Sequence, residues 1–389
     1  MANPKRKLID IETMSILIVD DAKNMRTIIR KILKNLKIGG ILHMAENGLE
    51  GLKILNFNPV DLVIVDWRMP IMNGPELLES IRNDSQLRDL PVLMVTAESE
   101  RDIVMEVAEI EVDGYLLKPL TPAILDEKIK SIVHQANYPD KAAMHVKNAR
   151  VFEELKNYEV AIKHMKHVVK LRPKASRHLR NLGLLYQKSG DEKTALHCLK
   201  KAALVNLQDA VTRQILGEIY WGKKDFTSAA EYYLEVVSLT RKFTDRAITL
   251  GEELLQNRMP RLAKNLFLKI ISSSLKNNAS KKHIVDLCME NQEWDFSKTL
   301  LIGLIKDYPS DFELVFKLGV VCENLNDFDG ALKHFLAVDQ YQIARVEVLL
   351  KIAKIYYDKQ KVLQADEYLN RVLIRKPDNQ EALRLRQLF

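Results

Sequence analysis

Three carboxylates, a hydroxyl and an ammonium follow short apolar runs in the first third of this chain. Ile16-Leu17-Ile18-Val19 leads into Asp20-Asp21, and Leu62-Val63-Ile64-Val65 leads into Asp66. Val92-Leu93-Met94-Val95 leads into Thr96, and Tyr115-Leu116-Leu117 into Lys118-Pro119. Like charges about 4 Å apart repel by roughly 4 kcal/mol at an effective dielectric near 20, so clustered carboxylates need a cation. A hard divalent ion takes carboxylate oxygens, a carbonyl and waters, which describes Mg2+ and also Mn2+. Asp66 is then a nucleophile toward phosphorus, Lys118 a partner for phosphoryl oxygens and Thr96 a hydroxyl donor to one of them. Pro119 sets the loop that aims the ammonium back at the site. The competing reading of Asp20-Asp21 is an N-cap for the helix carrying Met25, Ile28, Ile29, Ile32 and Leu33.

Elements must hold these groups together. Short apolar runs alternating with helix-length amphipathic stretches predict buried parallel strands in a βα series. In such sheets functional groups collect at the carboxyl ends of the strands, around one crevice. Residues 14–136 carry the strings Ile18-Val-Asp-Asp, Val65-Asp-Trp-Arg-Met-Pro, Asn73-Gly, Leu93-Met-Val-Thr-Ala-Glu and Gly114-Tyr-Leu-Leu-Lys-Pro-Leu-Thr. On these strings the segment resembles a bacterial response-regulator receiver domain, in particular the single-domain chemotaxis receivers.

The resemblance implies a flavodoxin-like (βα)5 fold, a doubly wound parallel sheet, with Asp66 accepting a phosphoryl group from a histidine kinase. It implies Mg2+ (or Mn2+) held by Asp21, Asp66 and the backbone carbonyl of Arg68, with Asp20 contacting it through water. It also implies a switch in which Thr96 moves toward the phosphoryl group and Tyr115 turns inward. Receivers commonly pair through the face around their last helix, here near Leu125 and Ile129, the alternative being that this face rests on the repeats.

The remainder repeats every 34 residues, with starts at 142, 176, 210, 244, 278, 312 and 346. The eighth position reads Ala149, Gly183, Gly217, Gly251, Val285, Gly319, Ala353, and the twentieth Ala161, Ala195, Ala229, Ala263, Ser297, Ala331, Ala365. The eleventh reads Phe152, Tyr186, Tyr220, Leu254, Cys288, Cys322, Tyr356, bulky apart from the two cysteines, and Pro173, Pro309 and Pro377 end three repeats. Small residues let two helices touch while bulky ones fill the gap between. This spacing resembles the tetratricopeptide repeat. An all-α solenoid over 142–389 follows, with 380–389 as capping helix. The family implies a right-handed superhelix whose groove binds a protein or peptide. Its usual lining positions are here Arg177, Arg180, Gln214, Glu218, Trp221, Lys282, Phe316 and Tyr357.

Charge divides unevenly over the 389 residues. Residues 1–140 hold 17 Lys+Arg and 22 Asp+Glu, so the overall net of +7 conceals a basic remainder. The basic charge peaks at 163–180, with seven Lys/Arg, three His and no acid. That stretch reads as a solvated helix face, as a docking surface for an acidic patch, or as a nucleic-acid contact. No DNA- or RNA-binding motif accompanies it, so nucleic acid ranks last. His164 and His167, one turn apart, lack an evident third metal ligand and read as surface residues.

The three cysteines have no metal spacing; Cys288 and Cys322 share a core register and read as small apolar fillers. The absence of a cysteine framework fits a reducing cytoplasm. No apolar run approaches the roughly 18 residues that span a membrane. Residues 1–13 read as a basic tail rather than a signal peptide, and 137–141 as a short linker with Pro139 discouraging a continuous helix.

The expectation is a response regulator whose output is protein binding, with no separate catalytic centre. The alternatives are a constitutive scaffold with an inert receiver and, further off, a nucleic-acid regulator. Arg68 and Glu98 flank the predicted site mouth, where an ion pair between them would impede an attacking water. Arg68→Ala and Glu98→Ala should each shorten the phosphorylated lifetime of Asp66, measured as release of labelled phosphate; unchanged rates in both would end the ion-pair idea.

Overall fold

The computed structural model describes residues 8–97, 112–273, 278–341 and 345–388. The chain divides into two compact units, Met1–Thr212 and Arg213–Phe389. The first unit contains a parallel sheet of β1 (Ser15–Val19), β2 (Ile41–Ala45), β3 (Leu62–Asp66), β4 (Val92–Thr96) and β5 (Gly114–Leu117) in the order β2-β1-β3-β4-β5. Side chains alternate between faces, and here both faces are covered. Ile16, Ile18, Ile64 and Val95 pack with helices α1 (Lys23–Asn35) and α4 (Pro122–Asn137). Leu17, Val19, Val65 and Met94 pack with α2 (Gly48–Phe57) and α3 (Gly74–Asn83). Double-sided burial explains why β1, β3 and β4 are unbroken apolar runs. It contributes about 1.5–3 kcal/mol for each large aliphatic side chain. Strand β2, which no such run announces, lies at the sheet edge with Ile41 exposed.

Three expectations need correction here. Residues 8–13 are not a tail: Ile9 and Ile11 pack against the sheet core, and Asn137 exchanges two 2.8 Å hydrogen bonds with the Ile9 backbone. The stretch between receiver and repeats is shorter than 137–141, because α4 runs through Asn137 and the next helix starts at Lys141. Asp140 caps that helix by accepting from the Ala143 amide at 2.7 Å. Leu125 and Ile129 are fully buried against the sheet, so neither can form a pairing face.

The boundary between compact units also falls inside the helix Ala210–Gly222, not beside Pro139. Sequence-distant ion pairs run between the receiver and the first repeat. Arg88 meets Glu154, and Asp89 meets Lys147 at 2.8 Å.

From Lys141 onward the described residues form helix pairs. First helices begin at Lys141, Ser176, Ala210, Thr244, Asn278, Phe312 and Val346. Second helices begin at Tyr158, Glu192, Phe226, Pro260, Trp294, Phe328 and Val362, each 34 residues after the last. The final helix, Gln380–Arg386, opens the next register and buries Ala382 against Leu349 and Leu369. Every turn between paired helices contains one residue with positive φ: Lys156, Gly190, Lys224, Arg258, Gln292, Asn326 and Gln360. Six of these are not glycine, although left-handed backbone costs an L-residue roughly 1–2 kcal/mol.

The small residue at position eight has a partner that the 34-residue alignment did not single out, at position twenty-four. A Cβ on Gly217 would lie 2.9 Å from Tyr233, one on Gly251 2.2 Å from Phe267, and one on Gly319 2.5 Å from Phe335. Where position eight is Ala or Val (Ala149, Val285, Ala353), position twenty-four is Met165, Leu301 or Leu369. At Gly217, Gly251 and Gly319, glycine on one helix thus makes room for a ring on the other, while Gly183 faces Leu199. Gly251→Ala should therefore destabilise the second unit by about 1–2 kcal/mol, because overpacking outweighs alanine's helix propensity. Adding Phe267→Leu should recover part of the loss in urea unfolding, and a Gly251→Ala single variant that is more stable than wild type would contradict the ring-for-glycine account.

Candidate functional site

The register of the sheet brings the predicted groups together. Val19 lies opposite Val65 on the neighbouring strand, so Asp20 and Asp66 leave adjacent strands side by side. Thr96 ends β4 on the other side of β3, and Lys118 follows β5. The direction of winding reverses between β1 and β3, the place where open α/β sheets bind ligands. Asp20, Asp66 and Thr96 are all buried. Lys118 Nζ donates to Asp20 Oδ2 at 2.9 Å and to Asp66 Oδ1 at 2.6 Å, so one ammonium sits between two carboxylates. The Arg68 amide donates to Asp66 Oδ2 at 3.0 Å, and the Lys118–Pro119 peptide is cis.

Burial pushes the Asp66 carboxyl above its ordinary value, and the Asp20 charge adds to this, against the pull of Lys118 and the Arg68 amide. Burial alone would lower the Lys118 ammonium; its bonds to Asp66 and Asp20 outweigh that and raise it, keeping it charged at neutral pH.

The loop after β3 depends on a close approach. A Cβ on Gly74 would fall 2.3 Å from the Asp66 carbonyl oxygen, so only glycine lets α3 start against the end of β3. Asn73 and Glu76 close a capping box there. The N-cap reading of Asp20-Asp21 does not hold: Ala22 occupies the cap of α1, and Asp20 Oδ1 accepts from its amide at 2.9 Å.

Arg26, which the sequence reading missed, organises that loop. It is buried, and Nη1 donates to the carbonyls of Asp20 and Asp21 at 2.7 and 3.2 Å. Its Nη2 meets Glu46 at 2.6 Å. An arginine beside Met25 on an otherwise apolar helix face was the available signal.

The donors suit a hard cation in type, since all are carboxylate or carbonyl oxygens. In arrangement they suit it in part. Asp21 is exposed, and among the described residues no group of three or more His, Cys, Asp or Glu side chains is gathered as a metal cage. Tyr115 is half-buried against the face of the sheet that holds α3. Arg68 is exposed, and Glu98 lies outside the described residues.

Comparison with known proteins accords with this geometry. Residues 16–130 match the family model of the response regulator receiver domain. Chemotaxis protein CheY of Pseudomonas aeruginosa is 44% identical over 124 residues, 32% of this chain and 99% of its own length. The chain belongs to the response regulator receiver family. Chemotaxis protein CheY-3 of Vibrio cholerae is likewise 44% identical, over 31% of this chain and 92% of its own length. The solved structure of the Vibrio cholerae chemotaxis response regulator CheY4 is 28% identical over 31% of this chain and 98% of that one, with a TM-score of 0.29. Residues 211–243 and 347–379 each match a tetratricopeptide repeat model, in the third and seventh registers. The chain is thus a CheY-like receiver followed by tetratricopeptide repeats.

Behind the receiver, the candidate groove residues prove mostly committed to the array itself. Arg180 is buried and pairs with Asp209 at 2.8 Å. Phe316 is buried beside Phe335, under the Arg345 guanidinium. Trp221 is buried, donates to Glu253 at 2.6 Å and lies 4.0 Å beneath Arg246. Lys282 bonds Asp311 at 2.5 Å, and Gln214 donates to Glu218 at 3.3 Å. These five are therefore not a free peptide-binding row; Arg177 and Tyr357 are half-buried. The family positions mark a register, but long polar side chains in that register reach the next helix and bond there. In the basic stretch, Lys163 bonds Glu159, and Arg172 bonds Asp140 at 2.6 Å. His164 does have a histidine neighbour beyond His167: His145 Nδ1 is 2.8 Å from His164 Nδ1, and its ring stacks on His167. The three cysteines are free and buried, and burial pushes the Cys288 thiol up to about 12.

Glu218 ties several of these residues together. It accepts two 2.7 Å bonds from Arg246 and one from the Tyr233 hydroxyl. The Arg246 bonds hold its carboxyl below the ordinary glutamate value, despite burial. A depressed folded-state pKa contributes stability above the unfolded pKa and loses it as pH falls through the folded value. Wild type should lose thermal stability below about pH 4.5. Glu218→Gln should be less stable than wild type near pH 7 yet lose less on acidification, and parallel pH profiles for the two proteins would remove Glu218 as the source.

Proposed function

We propose that the protein is a phosphorelay switch in which Asp66 takes a phosphoryl group from a histidine kinase and the repeats pass the change to a partner protein. The observation that carries this reading is the Lys118 ammonium bridging Asp20 and Asp66 at adjacent strand ends. An Asp66 oxygen attacks phosphorus in line while the bond to the kinase histidine nitrogen breaks, and Lys118 shifts onto the incoming phosphoryl oxygens. Asp21, Asp66 and the Arg68 carbonyl would hold Mg2+ (or Mn2+), with Asp20 through water. The bound ion would neutralise charge on the transferring oxygens. Thr96, at the end of β4, then donates its hydroxyl to the phosphoryl group, and Tyr115 on the adjoining strand moves further into the sheet face it already touches.

Protein binding is the output this reading assigns to the array. Its support is the repeat match and the short passage from α4 to the helix at Lys141. Ion pairs from the loop before β4 to that helix give the receiver a direct handle on the first repeat. Coupling of about 1–3 kcal/mol is typical of such linkage.

The test is incubation with Mg2+ and acetyl phosphate, or its beryllofluoride mimic, followed by intact mass and hydrogen exchange on wild type and Asp66→Ala. A phosphoryl adduct lost in Asp66→Ala, with altered protection in 142–210, is the expected result. An adduct without change beyond residue 140 would leave an independent receiver. No adduct and no beryllofluoride response would leave a constitutive scaffold.

A further inference from the structure

One side chain organises the receiver at the end of the sheet opposite Asp66. Arg82, in the last turn of α3, donates from Nη1 to the carbonyls of Arg88 and Leu90 at 3.0 and 2.9 Å, and from Nη2 to Asp113 Oδ2 at 2.8 Å. The Val92 amide donates to the same Asp113 oxygen, also at 2.8 Å. Arg82 therefore joins the end of α3, the loop before β4 and the residue that leads into β5. Its side chain is only 12% exposed, and the planar fork of donors lets one residue hold all three segments.

The loop that Arg82 holds is the one that meets the repeats. Arg88 pairs with Glu154, and Asp89 pairs with Lys147 at 2.8 Å, with Arg150 3.7 Å from the same carboxylate. All three partners stand on the helix Lys141–Glu154 of the first repeat. A cavity of about 300 Å3 lies beside this contact, with Arg82, Arg88, Asp89, Val112, Asp113 and Lys147 in its wall. Ion pairs beside an open space can rearrange without disrupting a close-packed core. The joint between receiver and first repeat is thus built to shift.

Strand β5 connects this network to the candidate phosphorylation site. Tyr115 lies two residues beyond Asp113 on that strand, and Lys118 follows its end. Hydrogen-bond and ion-pair networks carry coupling between sites when they have alternative arrangements. We propose that Arg82 is the positioning residue that passes a displacement of β5 to the first repeat. When Tyr115 and Lys118 respond to the phosphoryl group, Asp113 shifts with the strand and Arg82 moves with Asp113. The loop at Arg88 and Asp89 then changes its hold on the helix Lys141–Glu154. This route rests on the phosphorelay reading above and names the residues by which that switch reaches the array.

Full-length wild type, Arg82→Lys and the Arg88→Ala/Asp89→Ala double variant, each treated with Mg2+ and beryllofluoride, test the route by hydrogen exchange over 112–119 and 141–171. Intact mass after acetyl phosphate reports the Asp66 adduct separately. Arg82→Lys keeps the charge and loses the fork, so it should fold and still fail to transmit. All three proteins should form the adduct and change protection over 112–119, while the wild-type change over 141–171 is lost in both variants. Arg88→Glu and Glu154→Arg should each lose it too, and the two together should restore it, which a merely structural role would not do. A response over 141–171 that persists in Arg82→Lys and in the double variant overturns the route and leaves the switch intact. An adduct in wild type without any change over 141–171 overturns it as well. Absence of both adduct and beryllofluoride response removes the phosphorelay reading, and this inference with it.

Discussion

Two carboxylates buried at neighbouring strand ends need a cation between them, and that constraint organises the receiver. Asp20 and Asp66 have little water to dissipate their charge, so the Lys118 ammonium is required where it stands. The remainder of the local structure serves that placement. β4 separates Asp66 from the strand that delivers Lys118, which sets the reach the side chain must cover. Gly74 lets α3 start close enough to close the loop after β3, and Arg26 pins the loop after β1 from beneath. An incoming phosphoryl group would take over Lys118 from the aspartates. Under the proposed switch, the group that balances the resting site is also the one that would meet the phosphoryl oxygens.

The repeats follow a different rule, in which shape dominates charge. In six of the seven repeats, glycine faces an aromatic ring, or alanine or valine faces methionine or leucine, so bulk on one helix is traded against bulk on the other; Gly183 opposite Leu199 is the exception. Polar side chains on the same helices are then spent on neighbours, as Arg180 is on Asp209 and Arg371 on Asp339. Within each unit, packing and ion pairing both join neighbouring helices.

Much of this was legible in the residues. The apolar runs placed β1, β3, β4 and β5, and the 34-residue spacing placed the first helix of each repeat to within a residue. Strand β2 escaped because an edge strand buries one face poorly and so lacks an apolar run. Leu125 and Ile129 were misjudged because a helix that packs on a sheet and a helix that packs on a partner show the same apolar stripe. The partners of the groove candidates were hidden for a related reason. A register gives the side of a helix on which a residue stands, but not whether a carboxylate 29 to 32 positions away will bind it, as for Arg180 and Asp209 or Trp221 and Glu253. His145 went unnoticed beside His164 because 19 residues of intervening chain hide a contact made by two adjacent helices.

The left-handed turn residues carry one more implication. From Lys156 to Gln360 they recur every 34 positions in the same backbone state, whether the side chain is glycine, asparagine, glutamine, lysine or arginine. Cutting the chain at two of these points and rejoining it would bring together ends of matching dihedral angle, with the helix that follows already in phase. Such an array can lengthen or shorten by whole repeats without redesigning the turn at the cut, so its size is free to drift.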